Sequence, residues 1–109
     1  MATNLISPQQ AAPAATTETA LYTCGAANGF VASSFVVCNR SNVATTFRAY
    51  IAVAGVATAN KQYLYYDTPI GGNQSFILTG GITMLNADVF RVYAGAATLS
   101  FTLCGQEST

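Results

Sequence analysis

The chain has 109 residues, enough for one domain built around one core. Its composition is 51% hydrophobic but only 7% charged, against about 25% in ordinary soluble domains, and the charges cancel at neutral pH. Zero net charge and a few scattered basic residues argue against a nucleic-acid face, and no run approaches the ~18 apolar residues of a membrane-spanning helix.

Residues 1–17, MATNLISPQQAAPAATT, carry no charge, and Pro8 and Pro13 disfavour both helix and strand ladder. An extended N-terminal arm is predicted, either disordered or lying along a neighbouring subunit, with Leu5 and Ile6 as its apolar anchor. The start lacks the basic residues and apolar stretch of a secretory signal, so a cytosolic product is expected. The folded domain is expected to occupy residues 18–109.

Short β-rich runs follow, separated by Gly, Asn, Asp and Pro. The first spans Thr19 to Cys24 and ends at Gly25 and Asn28-Gly29. The second spans Phe30 to Cys38 and stops at Asn39-Arg40-Ser41-Asn42. In the third, Thr45 to Val53, strict alternation places Phe47, Ala49, Ile51 and Val53 on one face and Thr46, Arg48 and Tyr50 on the other. A loop over Gly55–Lys61 leads into an aromatic strand, Gln62 to Asp67, ended by Pro69 and Gly71-Gly72. Two short strands, Ser75–Thr79 and Ile82–Leu85, are predicted on either side of Gly80-Gly81. Asn86-Ala87-Asp88 turns the chain into Val89–Tyr93, and the last run, Thr98 to Cys104, points Leu99, Phe101 and Leu103 the same way. The expected fold is therefore all-β: an antiparallel β-sandwich of about seven to eight strands, jelly-roll or immunoglobulin-like in order.

Catalytic equipment is sparse. There is no His for acid–base chemistry near neutral pH, and the acidic residues show no pairing in the sequence. Asp67 and Asp88 suit turn caps or salt bridges. No enzyme activity and no cofactor are expected. Cys24, Cys38 and Cys104 match no zinc spacing, so no metal site is predicted. Reduced, buried thiols are expected, with a Cys24–Cys38 or Cys38–Cys104 bridge as the alternative. The Asn39-Arg40-Ser41 and Asn73-Gln74-Ser75 sequons read as turn chemistry.

A surface with so few charges suits contact with other protein better than solitary existence, which predicts a homo-oligomer or a multi-subunit shell. Candidate interface residues are Leu5 and Ile6 in the arm, Tyr63, Tyr65 and Tyr66 in the aromatic strand, and Arg48, Tyr50, Arg91 and Tyr93. Alternation puts Tyr63 and Tyr65 on one face and Leu64 and Tyr66 on the other. A Tyr buries a wide ring while keeping a hydroxyl, so core packing and sugar stacking stand beside the interface role. The two arginines fit cross-strand pairs with Asp or Glu, or ion pairs between subunits.

The runs SSFVVCNRSNVATTFRAYIAVAG, NKQYLYYDTPIGGNQSFILTGGITMLNADVFRVYAG and ATLSFTLCGQE, with the lead-in AAPAATTETALYT, resemble small structural proteins of tailed bacteriophage virions. The likeness departs at Cys24-Gly25, where a Val-Pro pair is expected. It implies a virion protein made in the bacterial host cytoplasm, most simply a capsid decoration or cement protein. Such a protein would work as a homotrimer whose partners are its own copies and the major capsid protein, with no nucleic acid and no membrane. The alternative is a tail or head-fibre module that binds host-surface glycan or another tail protein.

Overall fold

In the computed structural model, residues 3–25 and 29–108 are described, and the turn expected at Asn28 lies outside them. Nine strands follow one another: β1 (Thr3–Leu5), β2 (Gln9–Ala11), β3 (Thr19–Thr23), β4 (Gly29–Asn39), β5 (Thr45–Ala52), β6 (Tyr63–Ile70), β7 (Ser75–Leu85), β8 (Val89–Ala94) and β9 (Leu99–Ser108). Among the described residues, two single-turn 3-10 helices interrupt them, at Val53–Gly55 and Asn60–Gln62.

The strands form two sheets. One has the order β1-β9-β4-β7, with β2 also paired to β9, and the other has the order β3-β8-β5-β6. Every pairing is antiparallel. Because β1 and β2 cover successive stretches of β9, they act as one edge strand in two pieces. The chain passes back and forth between the sheets, leaving two interleaved four-wide layers. That order is a jelly roll, which settles the choice between jelly-roll and immunoglobulin-like arrangements.

The core forms where alternation predicted it. Phe47 and Ala49 on β5 meet Phe35 and Val37 on β4 and Leu99, Phe101 and Leu103 on β9, all buried. Phe47 lies 5.2 Å from Phe76 and 6.4 Å from Phe101, centroid to centroid, so this ring bridges the two layers. Val53 departs from the predicted face: the chain leaves the sheet in a 3-10 turn there, and the side chain is exposed.

Several sequence expectations change for physical reasons. Within the arm, residues 3–5 and 9–11 pair with β9 of the same chain. Pro8 falls between the two pieces and Pro13 beyond the second, so neither removes a ladder hydrogen bond. Pro69 does not end β6, which runs on to Ile70 as the sheet's edge, where a missing N–H faces outward. Gly80-Gly81 does not separate two strands. The pair forms a bulge opposite Ser33, with φ of 71° and 83°, and β7 continues through it as one strand of 11 residues.

Candidate assembly surfaces

The outer face of the β3-β8-β5-β6 sheet collects most of the ionised side chains. On β5, register with β8 keeps Phe47, Ala49 and Ile51 inward and turns Arg48 and Tyr50 outward, beside Tyr93 and Arg91 respectively. Arg48 Nε donates to Asp67 Oδ1 at 2.7 Å. Its guanidinium lies 4.2 Å from the centroid of Tyr66 and 4.4 Å from that of Tyr93, held between the two rings. The hydrogen bond to Asp67 raises the pKa of this arginine further, so it stays charged.

Loop 53–62 folds over the same face and is pinned by Glu18 and Arg91. Glu18 Oε1 accepts hydrogen bonds from the Tyr50 hydroxyl, at 2.7 Å, and from the Thr58 hydroxyl. Arg91 approaches Glu18 at 3.9 Å and donates to the Val56 carbonyl at 2.9 Å. The hydrogen bonds from Thr58 and Tyr50 hold the Glu18 carboxyl below its ordinary pKa against the cost of desolvation, and Arg91 adds to the effect. Asp88 ties the far end by accepting from the Ala54 and Leu85 N–H groups, both at 2.9 Å.

These contacts sort the candidate residues. Tyr50 is buried beneath the loop, 1% exposed. Arg48 and Arg91 both have carboxylate partners within the chain. The predicted pairing of Tyr63 with Tyr65 is corrected. Register shifts opposite Phe47–Ala49 and Ala49–Tyr50 break the alternation of β6, which carries Tyr63 onto the outer face against Tyr50 and Tyr66, each at 4.8 Å. Tyr65 instead turns inward onto Phe76 and Phe47, at 4.9 and 5.9 Å. Of the aromatic strand, Tyr66 is the ring most open to solvent, at 55%. Asn60, Tyr63 and Tyr66 line a shallow cleft there. In the arm, Ile6 packs against the core while Leu5 is 87% exposed.

The opposite sheet has another chemistry. Among its described strand residues the single Asp, Glu, Lys or Arg is Glu107, which shares a register position with buried Phe30 and so faces inward. Its carboxylate accepts a hydrogen bond from the Tyr22 hydroxyl, and burial followed by that bond pushes the Tyr22 pKa up. The outer face of this sheet is therefore uncharged. One row across it reads Leu5, Gln106, Val31, Thr83, and another reads Gln10, Thr102, Val36, Ile77. Composition could reveal that charge was scarce. It could not reveal that the remaining charges gather on one sheet and leave the other neutral.

The cysteines also fall into place. Cys38 and Cys104 share this neutral face but pair with Ser100 and Ser34, four β4 residues apart. At ~3.3 Å per residue that separation is about 13 Å, too far for a bridge. Cys24 lies buried near Asp88, at the end of the sandwich opposite Cys38, where burial raises its pKa. Asn39, read from sequence as part of a turn, is a buried clamp. Its amide nitrogen donates to Val43 O at 2.9 Å and Gly71 O at 3.2 Å, and its Oδ1 accepts from the Ser41 N–H at 3.1 Å. No group of three metal-binding side chains occurs among the described residues, and no helix is long and apolar enough to cross a membrane.

No protein-family model and no curated protein matches the chain. Among solved structures, a chain of the T13 viral particle of IBDV is similar over 97% of this chain and 29% of its own length, with a TM-score of 0.57 at 9% identity. A pentameric capsid protein isolated from metagenomic phage sequences aligns over 98% of this chain and 61% of its own, with a TM-score of 0.41 at 13% identity. The present chain thus spans under a third of the first relative's length and under two thirds of the second's. At 9% identity, the likeness to the virus-particle chain is one of fold.

Proposed function

We propose that this chain is a virion structural protein that works by burying the uncharged face of its β1-β9-β4-β7 sheet against other protein. That face carries the proposal, because an 11-residue strand such as β7 with no charged side chain is poorly suited to permanent exposure. The jelly-roll likeness to a chain of a viral particle supports the same assignment. Within it, a capsid decoration protein of a tailed phage fits best, docking on the major capsid protein as a homotrimer. Many weak, neutral contacts then add through multivalency, since each further contact is made within an already tethered assembly. The role needs no catalysis, cofactor, nucleic acid or membrane. Co-sedimentation of the purified protein with phage heads tests it, as does gold labelling of intact virions. Label on the head is expected, and protein that neither sediments with heads nor appears in virions rejects the role.

A second reading, a tail or head-fibre module for host-surface glycan, is favoured by the cleft of Asn60, Tyr63 and Tyr66, where exposed ring surface meets an amide. Glycan-array binding abolished by Tyr66→Ala supports it, and an array without signal removes it.

A further inference from the structure

The four sheet edges are not protected alike. β1 and β2 are three residues each and are separated by Pro8. β3 is five residues long and carries an irregular register. β6 bears Pro69, charged Asp67 in a left-handed conformation and two register shifts. Short strands, proline, charge and irregularity are the devices by which proteins keep edge strands from pairing with other chains. β7 has 11 residues with neither a charged residue nor a proline, and nothing pairs with its outer edge among the described residues. Outward from it point Ile77 and Leu85, 63% and 64% exposed.

We propose that β7 pairs antiparallel with β7 of a second copy, joining two sheets edge to edge across a two-fold axis. The inference rests on the proposed virion role and names the contact through which copies meet. A second copy is the occupant because the strand is complementary to itself. Outward positions are odd-numbered on both sides of the bulge, so a two-fold near Gly80 sets Ile77 of each copy beside Thr83 of the other. Neither strand brings a charge to the seam, whereas the same operation on β6 would add Asp67 to the junction. The bulge is compatible with this contact. Positive φ accounts for glycine at 80 and 81, and a Cβ at either position would meet nothing of this chain within 4 Å, leaving room for a second backbone.

Light scattering at increasing protein concentration, with hydrogen exchange of residues 75–85, tests the contact. The double variant Ile77→Lys/Thr83→Lys puts like charges on two exposed positions and should halve the limiting mass while keeping the wild-type circular dichroism. Val43→Lys/Val53→Lys, at exposed positions away from β7, should leave the mass unchanged. Wild-type protein should protect β7 amides more strongly as it assembles. The halving reports on β7 alone, and the mass that remains reports on the trimer. A wild-type chain that stays monomeric, a mass indifferent to the lysine pair, or β7 protection that appears only on adding phage heads overturns the inference. Heads that still bind the protein in those cases leave the virion role standing.

Discussion

Arg48 and Asp67 meet across neighbouring strands at 2.7 Å only because the backbone at Asp67 turns left-handed, with φ of 47°. A regular β6 would keep the alternation of its tyrosines. The irregular one delivers Tyr66 to one face of the guanidinium while the carboxylate meets its edge. Asp67→Asn keeps a residue that tolerates this conformation and removes the charge, for an expected loss of about 0.5–1 kcal/mol that shrinks with added salt. Asp67→Ala should lose about 1 kcal/mol more, because alanine lacks the short polar side chain through which Asp and Asn tolerate the left-handed conformation. Urea denaturation of both variants checks the ranking, and equal losses would show that the backbone conformation costs nothing.

Stability should be nearly flat between about pH 5 and pH 8, because no His is present, Glu18 titrates below that range, and the raised Cys24, Tyr22 and Tyr50 begin to lose their contribution only above their ordinary values, the lowest being the 9.0 of the Cys24 thiol. Glu18 has a folded pKa below its ordinary 4.5, so its contribution is present above 4.5 and is lost as pH falls through the folded value. Tyr22 and Tyr50 are raised above 10.0 by burial and then by Glu107 and Glu18, so their contribution is present below pH 10 and is lost as pH climbs beyond it. Thermal scans from pH 3 to 12 measure both limbs. Glu18→Gln should flatten the acid limb and Tyr22→Phe the alkaline one.

Gly105 and Gly80 are glycines for different reasons, and alanine separates them. At Gly105 a Cβ would press on the Val31 carbonyl and the Phe30 ring, so Gly105→Ala should cost about 1–3 kcal/mol by overpacking. At Gly80 the space is open and only φ is at stake, so Gly80→Ala should cost about 1 kcal/mol. Chemical denaturation of the two variants provides the comparison.

Asn39→Leu fills a similar volume but leaves the Val43 and Gly71 carbonyls and the Ser41 N–H without this partner. The expected cost is about 2–4 kcal/mol, with faster amide exchange in residues 40–44 and 71–74. Unchanged exchange in both loops would mean that Asn39 does not clamp them.

Much of the β-structure could be read before any coordinates. The inward row Leu99, Phe101, Leu103 and the pair Phe47, Ala49 follow from alternation alone, and all five are buried. Boundaries failed where local signals carry two meanings. Pro69 stops a central strand but is tolerated on an edge, and Gly80-Gly81 can mark a turn or a bulge. Nothing near Tyr63–Tyr66 announces the register shifts that divide these rings between the two faces, because a shift is defined against the partner strand.

Sequence by itself determined that the protein is β-rich, poor in charge and without histidine, since composition and a period of two are properties of the chain. Tertiary structure alone decided the jelly-roll order, the return of the arm onto β9, the gathering of Arg48, Asp67, Glu18 and Arg91 on one sheet, and the bare edge of β7. Those features depend on which distant strands pair and at what offset. Such choices are set by the joint packing of two sheets, which no local run of residues encodes.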